Sequence, residues 1–197
     1  MGSSEIESEL ELIEQAKNGN QQAFGKLALR YRKNVFGLAY RMTGHPEEAE
    51  DLTQDVFLRA YLSLHRFTPN RDGAFKSWLL TITSRLCIDR ARHKRSHPGE
   101  SLEDYEQELP TGEKSVLETV TEEETREQVR MALRLLPENY RMAMILKYQE
   151  DLDYQAIARI MKIPLGTVAT LLNRGRAQLK KILLERGIID EKELVAR

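Results

Sequence analysis

Cysteine is almost missing from this chain: Cys87 is the only one in 197 residues. A single cysteine closes no internal disulfide, and with no second thiol nearby it completes no zinc site. It reads as a half-buried helix residue in a reducing cytosol. No apolar run reaches the roughly 18 residues that a membrane span needs, so membrane insertion is not expected. The first residues, Met1-Gly2-Ser3-Ser4-Glu5, lack the basic start and apolar stretch of a secretion signal. A cytoplasmic protein is the expectation.

Catalytic signatures are missing too. There is no phosphate loop, no paired-histidine metal motif and no serine elbow. The four histidines, His45, His65, His93 and His97, fall in turns, helix ends or basic tracts. His93 and His97 have ligand spacing but no third partner. An enzyme, a metal site, a cofactor and a small-molecule substrate are therefore not expected.

Strand signals are scarce as well, because no alternating run is bounded by turn residues. What is present is charge and helical period. The composition, 41% hydrophobic and 31% charged, suits a globular chain able to build cores. The formal net charge is only -1, but it is unevenly spread. Residues 20–96 hold 14 basic and 7 acidic side chains, and residues 128–186 hold 11 and 5. Residues 97–127 between them hold 2 basic and 11 acidic. Two basic lobes flanking an acidic stretch suggest two contacts on a polyanion.

The first lobe opens with a short helix over about 7–17. Phe24, Leu27, Ala28, Tyr31, Val35, Leu38, Ala39 and Met42 then recur at three and four, one apolar stripe on a long helix. Asn20 suits its N-cap and Gly44 its end. Pro46 fits the first turn of the next helix, which runs to about Leu64, with Glu47, Glu48 and Glu50 near its positive end. Glu48, Asp51, Asp55 and Arg59, with Gln54 alongside, oppose the apolar Leu52 and Val56 and form a face that solvent or a protein partner could read. After a loop over 67–73, a third helix from near Ala74 carries Phe75, Trp78, Leu79, Ile82 and Leu86. It ends in the basic Arg90-Ala91-Arg92-His93-Lys94-Arg95. Aromatics a turn before cations suit single-stranded DNA, but at helical spacing with Leu79 and Ile82 Trp78 by itself reads first as core.

From His97 to about Thr121, Pro98, Gly99, Pro110 and Gly112 break the pattern, and the segment reads as an acidic linker. Thr121 to Glu124 forms a capping box. Four short helices are expected beyond it. Val129, Ala132, Leu133 and Leu136 line the first, and Pro137 ends it. Tyr140, Ala143, Met144 and Tyr148 line the second. Asp153 caps a third over 154–161, and the turn Lys162-Ile163-Pro164 leads to a fourth over about 165–186. The last pair has the pattern of a helix-turn-helix. Ala158 is small where the two helices approach, and Ile157, Val168 and Leu172 can fill the space between. Leu165, Gly166, Thr167, Ala169, Thr170 and Asn173 would face a groove, and Arg174, Arg176, Lys180 and Lys181 could neutralise phosphates. A packed hairpin with a solvated basic face fits the same spacing.

Taken together, these segments resemble the extracytoplasmic-function (group IV) sigma factors of the sigma-70 family. The likeness lies in Ala23-Phe24 through Tyr31-Arg32, in Ala39-Tyr40-Arg41-Met42 and in the run from Glu48 to Ala60. It continues in Phe75-Lys76-Ser77-Trp78-Leu79 and Ile88-Asp89-Arg90-Ala91-Arg92. In the second lobe it lies in Leu136-Pro137-Glu138, Tyr154-Gln155-Ala156-Ile157-Ala158 and Ile163-Pro164-Leu165-Gly166-Thr167-Val168. It covers about residues 20–186 in order and register. The resemblance implies an all-α protein of two small helical domains joined by an acidic linker, the second containing the helix-turn-helix. The boundaries would be a tail over 1–19, region 2 over 20–96, the linker over 97–125, region 4 over 126–186 and a tail over 187–197.

It also implies a job. Such a subunit binds core RNA polymerase, directs it to a promoter, helps melt the −10 DNA and dissociates, while catalysis stays with the core. Asp51, Gln54, Asp55, Phe57 and Arg59 would engage the clamp-helix coiled coil of the largest polymerase subunit. Asn70, Arg71, Phe75, Lys76, Trp78, Arg85, Asp89, Arg90 and Arg92 would hold the −10 strand, with an extruded base read near the loop. Leu165, Gly166, Thr167, Ala169, Thr170, Asn173, Arg174 and Arg176 would serve the −35 major groove. An anti-sigma factor is a further expected partner. The chain departs from the family at Ala169, Leu171 and Asn173, where positive charge or bulk is usual. A stand-alone helix-turn-helix regulator and a protein adaptor are the competing readings. The first needs neither the 51–59 face nor the 78–95 helix, and the second needs no pair of basic lobes.

Overall fold

The computed structural model describes residues 7–69, 74–97 and 122–189, with the backbone alone for 122–126. The linker core, the Thr121 capping box, loop residues 70–73 and the tail from 190 lie outside the described residues. Every regular element among those described is helical. The chain divides into two compact units, 1–87 and 88–197.

In the first unit, α1 (Glu9–Lys17) starts two residues later than the apolar pattern suggests. Ser8 and Glu11 form a capping box there, so each satisfies a backbone N–H of the other. Asn20 caps α2 (Gln21–Thr43) as expected: its Oδ1 accepts from the Ala23 amide at 3.2 Å. Gly44 ends α2 in the left-handed region at φ 82°, and its N–H donates to the Tyr40 carbonyl at 2.7 Å. With only Gly44 and His45 between them, α2 and α3 (Pro46–Ser63) must turn back and pack along each other. A 3-10 turn, Leu64–Arg66, continues α3, and after the loop α4 (Ala74–Ser96) begins in this unit and has its last turns, from Ile88, in the second.

The core of this unit draws Leu12 and Ile13 from α1, Leu27, Val35 and Leu38 from α2, Leu52 and Val56 from α3, and Leu79 and Leu80 from α4. Burying each such side chain contributes roughly 2 kcal/mol, which makes these positions the main cohesive force. The stripe expected on α2 holds at Leu27, Val35, Leu38, Ala39 and Met42, while Phe24, Ala28 and Tyr31 sit half-buried at its edge.

The second unit is built on α5 (Glu122–Arg134), α6 (Glu138–Tyr148), α7 (Tyr154–Met161) and α8 (Leu165–Glu185). The last runs 21 residues, within one residue of the bounds expected for it. The expected lining of α6 needs correction: Tyr148 is 55% exposed, whereas Met142 through Leu146 are all buried. α6 packs against both α7 and α8, so most of its circumference is covered and one-face periodicity fails. Arg141 reaches from α6 to the end of α5, donating to the carbonyls of Arg134 and Leu136. The Arg134 carbonyl is one that the end of α5 leaves without an intrahelical donor, and the Leu136 carbonyl follows it in the connection to α6. Burial pulls the guanidinium down to about 10, so it is still cationic at pH 7.

Candidate polymerase and nucleic-acid interfaces

The outer face of α3 follows from its packed face. Leu52, Val56 and Ala60 point into the core, so Asp51, Gln54, Asp55 and Arg59 face solvent and Phe57 is half-buried. Sequence reasoning missed two members of this surface. Leu58 and Leu62 are 57% and 64% exposed. With Asp51 and Asp55 they fall at i, i+4, i+7 and i+11, one stripe that is anionic at one end and apolar at the other. Their exposure follows from spacing: both lie out of phase with the buried Leu52 and Val56.

At the start of α4 the aromatic residues converge. Phe67 stacks on Trp78 with ring centroids 4.7 Å apart, and Phe75 sits edge-on to Phe67 at 5.5 Å. Phe75 also contacts Trp78 at 5.6 Å and Tyr31 of α2 at 5.6 Å. Phe75 is 0% exposed, so its ring offers no surface to a base. Among the described candidate −10 residues, Trp78 is the one whose ring it touches. Trp78 is half-buried and keeps part of its surface open. Lys76 is half-buried, and Arg85, Asp89, Arg90 and Arg92 are exposed along α4. Asn70 and Arg71 lie outside the described residues. Further along the chain Glu138, 7% exposed, accepts from Arg95 at 3.0 and 3.1 Å and from Arg92 at 3.4 Å.

The helix-turn-helix is held from the backbone up. Asp153 caps α7, its carboxylate accepting from the Ala156 amide at 2.6 Å. Such a cap stabilises by about 1 kcal/mol. Lys162 ends α7 in the left-handed region at φ 53°, ψ 48°. The Ile163 N–H donates to the Ala158 carbonyl at 3.1 Å, closing the bend. Ile157, Val168 and Leu172 are buried between α7 and α8. That register leaves Leu165, Gly166, Thr167, Thr170, Asn173, Arg174 and Arg176 exposed and Ala169 half-buried. Two of the candidate readers have local partners: Thr170 donates to the Gly166 carbonyl at 3.1 Å, and Asn173 Oδ1 accepts from Arg176. Gly175, not singled out by sequence reasoning, faces α6, where close approach leaves little room for a side chain.

Cys87 is fully buried at 2% exposure rather than half-buried as the sequence suggests, because it lies on the packed side of α4 with Leu86 and Ile88. Burial first, and the Glu48 carboxylate second, push its thiol up to about 12. Among the described residues no group of three metal-ligating side chains occurs, and no helix is long and apolar enough to cross a membrane.

Comparison with known proteins places this arrangement. The sigma-70 region 2 family model matches residues 27–97, and the sigma-70 region 4 model matches residues 126–179. The ECF RNA polymerase sigma factor SigW of Bacillus subtilis is 36% identical over 181 residues, covering 87% of this chain and 94% of that protein. The ECF RNA polymerase sigma-E factor of Escherichia coli K12 is 31% identical over 172 residues, covering 84% and 88%. Two solved structures share the fold. CnrH, in complex with the cytosolic domain of CnrY, has a TM-score of 0.58 at 24% identity, covering 87% of this chain and 94% of its own. The sigma factor RpoE of Bartonella quintana, in complex with the anti-sigma factor NepR, has a TM-score of 0.58 at 22% identity, covering 82% and 97%. A stand-alone helix-turn-helix regulator would leave the match over 27–97 without a reason. This chain belongs to the ECF RNA polymerase sigma factors.

Proposed function

We propose a division of labour along this sigma factor in which three surfaces act on three targets. The exposed stripe of α3, with Asp51, Gln54, Asp55 and Arg59 beside Leu58 and Leu62, docks on the clamp-helix coiled coil of core RNA polymerase. The loop over 67–73 and α4, with Asn70, Arg71, Lys76, Trp78, Arg85, Asp89, Arg90 and Arg92, hold the melted −10 strand over the ring of Phe75. The exposed side of α8, from Leu165 to Arg176, enters the −35 major groove. Region 2 over 20–96 and region 4 over 126–186 are tethered by the acidic 97–125 segment. Its charge likeness to nucleic acid suits a polymerase channel that attracts polyanions. Synthesis chemistry stays with the core, the chain works in the cytoplasm, and an anti-sigma protein is its expected antagonist.

One observation carries this reading. A single chain combines the region 2 match, whose α3 exposes anionic and apolar residues together, with a region 4 match whose helix-turn-helix leaves its reading side open. A regulator that only bound duplex DNA would bury or lack the first of these. The test is transcription by bacterial core polymerase plus the purified chain on a promoter library. Sequence-specific transcripts that appear only with the chain are expected, and Leu58→Glu with Leu62→Glu should abolish core binding. Binding to duplex DNA with no association to core at low salt would overturn the proposal.

A further inference from the structure

The helix α1 precedes the region 2 match, which begins at residue 27, yet its packing is that of a core element. Leu12 and Ile13 are fully buried, and α1 packs on α2 and on the 3-10 turn Leu64–Arg66. That turn leads directly into Phe67. Along the other side, Tyr31 donates its hydroxyl to the Glu9 carboxylate. Its ring then contacts Phe75, and Phe75 contacts both Phe67 and Trp78. So α1 touches the aromatic cluster by two routes, through the turn beneath Phe67 and through the ring beside Phe75.

We propose that α1 is part of the single-strand platform, with Glu9 and Tyr31 as positioning residues that set Phe75 and thereby Phe67 and Trp78 for capture of the −10 strand. The inference rests on the assignment of loop 67–73 and α4 to that strand. A hydrogen bond to a carboxylate fixes the azimuth of the phenol ring more firmly than packing alone. Close-packed rings pass small displacements on, because there is no void to absorb them. Desolvation, and then the Glu9 carboxylate, push the Tyr31 hydroxyl up to about 12, so it remains a proton donor throughout the working range.

The chain offers its own reporter, since Trp78 is its only tryptophan. The experiment uses the full chain with Tyr31→Phe, Glu9→Ala and the double variant. Three quantities are read: acrylamide quenching of Trp78 without DNA, affinity of the core-bound factor for a fluorescent non-template strand of a promoter recovered from the library, and affinity for core alone. Tyr31→Phe keeps the ring and removes only the hydroxyl, so the fold is retained. Each single variant should raise Trp78 quenching and weaken strand binding by about fivefold, with core affinity within about twofold of wild type. The double variant should match either single one, because both remove the same bond. A merely structural role would lower the melting temperature and leave native-state quenching and strand affinity as in wild type; that result, or additive effects, overturns the inference. Failure of the wild-type factor to bind the strand would instead overturn the underlying assignment, and the inference with it.

Discussion

A β-carbon placed on Gly175 of α8 would lie 3.2 Å from Cγ of Met144 on α6, and 3.5 Å from Cβ of Tyr140. The two helices cross at this glycine because nothing larger fits without movement. Two opposing effects set the outcome of substitution. Alanine gains roughly 1 kcal/mol of helix propensity over glycine, and the flexible Met144 side chain can yield a few tenths of an ångström. Gly175→Ala should therefore stay within about 1 kcal/mol of wild type. Gly175→Leu has no such escape and should cost about 1–3 kcal/mol through overpacking. Denaturant unfolding followed by circular dichroism, with −35 duplex binding alongside, checks both. A leucine variant as stable as wild type would contradict the close-approach assignment.

Ser84 is 1% exposed on α4, and its hydroxyl finds no hydrogen-bond partner among the described residues. Its neighbour Thr83 is equally buried but donates to the Leu79 carbonyl at 2.8 Å. Removing an unsatisfied hydroxyl relieves a desolvation cost, so Ser84→Ala should stabilise by about 1 kcal/mol. Thr83→Ala should destabilise through a lost bond and methyl. Opposite signs for adjacent positions, read as shifts in urea midpoint by Trp78 fluorescence, are the expected result.

Alkaline pH should weaken the first unit. The Cys87 thiol is raised from 9.0 to about 12, so below pH 9 both folded and unfolded states hold the proton and the contribution is complete. Above that the unfolded thiol ionises while the buried one does not, and stability falls until pH reaches about 12. Tyr31, raised from 10.0 to about 12, adds to the loss in the upper part of the window. For Cys87 the slope is at most about 1.4 kcal/mol per pH unit. Cys87→Ala should flatten the decline between pH 9 and 10, where tyrosine contributes little. In the native state the thiol should resist alkylation at pH 8 and react only at the rate of unfolding.

How much of this was legible in the chain divides by physical cause. Helix starts marked by Asn20, Pro46 and Asp153 were readable because their side chains satisfy, or by ring geometry do not need, local backbone donors. The α2 stripe was readable because one face alone is buried. The lining of α6 was not, since Met142 to Leu146 are covered on several sides and period carries no information there. Phe75 and Trp78 lie three residues apart with the same apparent chemistry, yet one is sealed and the other half-open. Tyr31, far earlier in the chain, packs on Phe75, a contact that local spacing does not reveal. Gly175 looks like any helix glycine until α6 is placed against it. The partners came into view through the resemblance of several segments in register, which composition and spacing could not supply.

Ala169 sits half-buried on α8, directly after Gly166-Thr167-Val168, where the family resemblance leads us to expect a basic residue. Ala169→Lys should add one phosphate contact and steepen the log–log salt dependence of −35 duplex binding by about one unit. Affinity at low salt should rise accordingly, measured by fluorescence anisotropy from low to moderate salt. An unchanged slope and affinity would remove this explanation of the departure.

Along α8 the positions that hold the helix in place, Val168, Leu172 and Gly175, alternate with those that face outward, Thr167, Thr170 and Asn173. The bend before it is shaped by main-chain bonds at Ala158 and Ile163. If the outward side reads the −35 groove as we propose, drift in promoter preference can proceed on one side of a rod whose anchorage is untouched. Paralogues of such a factor could diverge in the genes they switch on long before any of them lost the ability to fold.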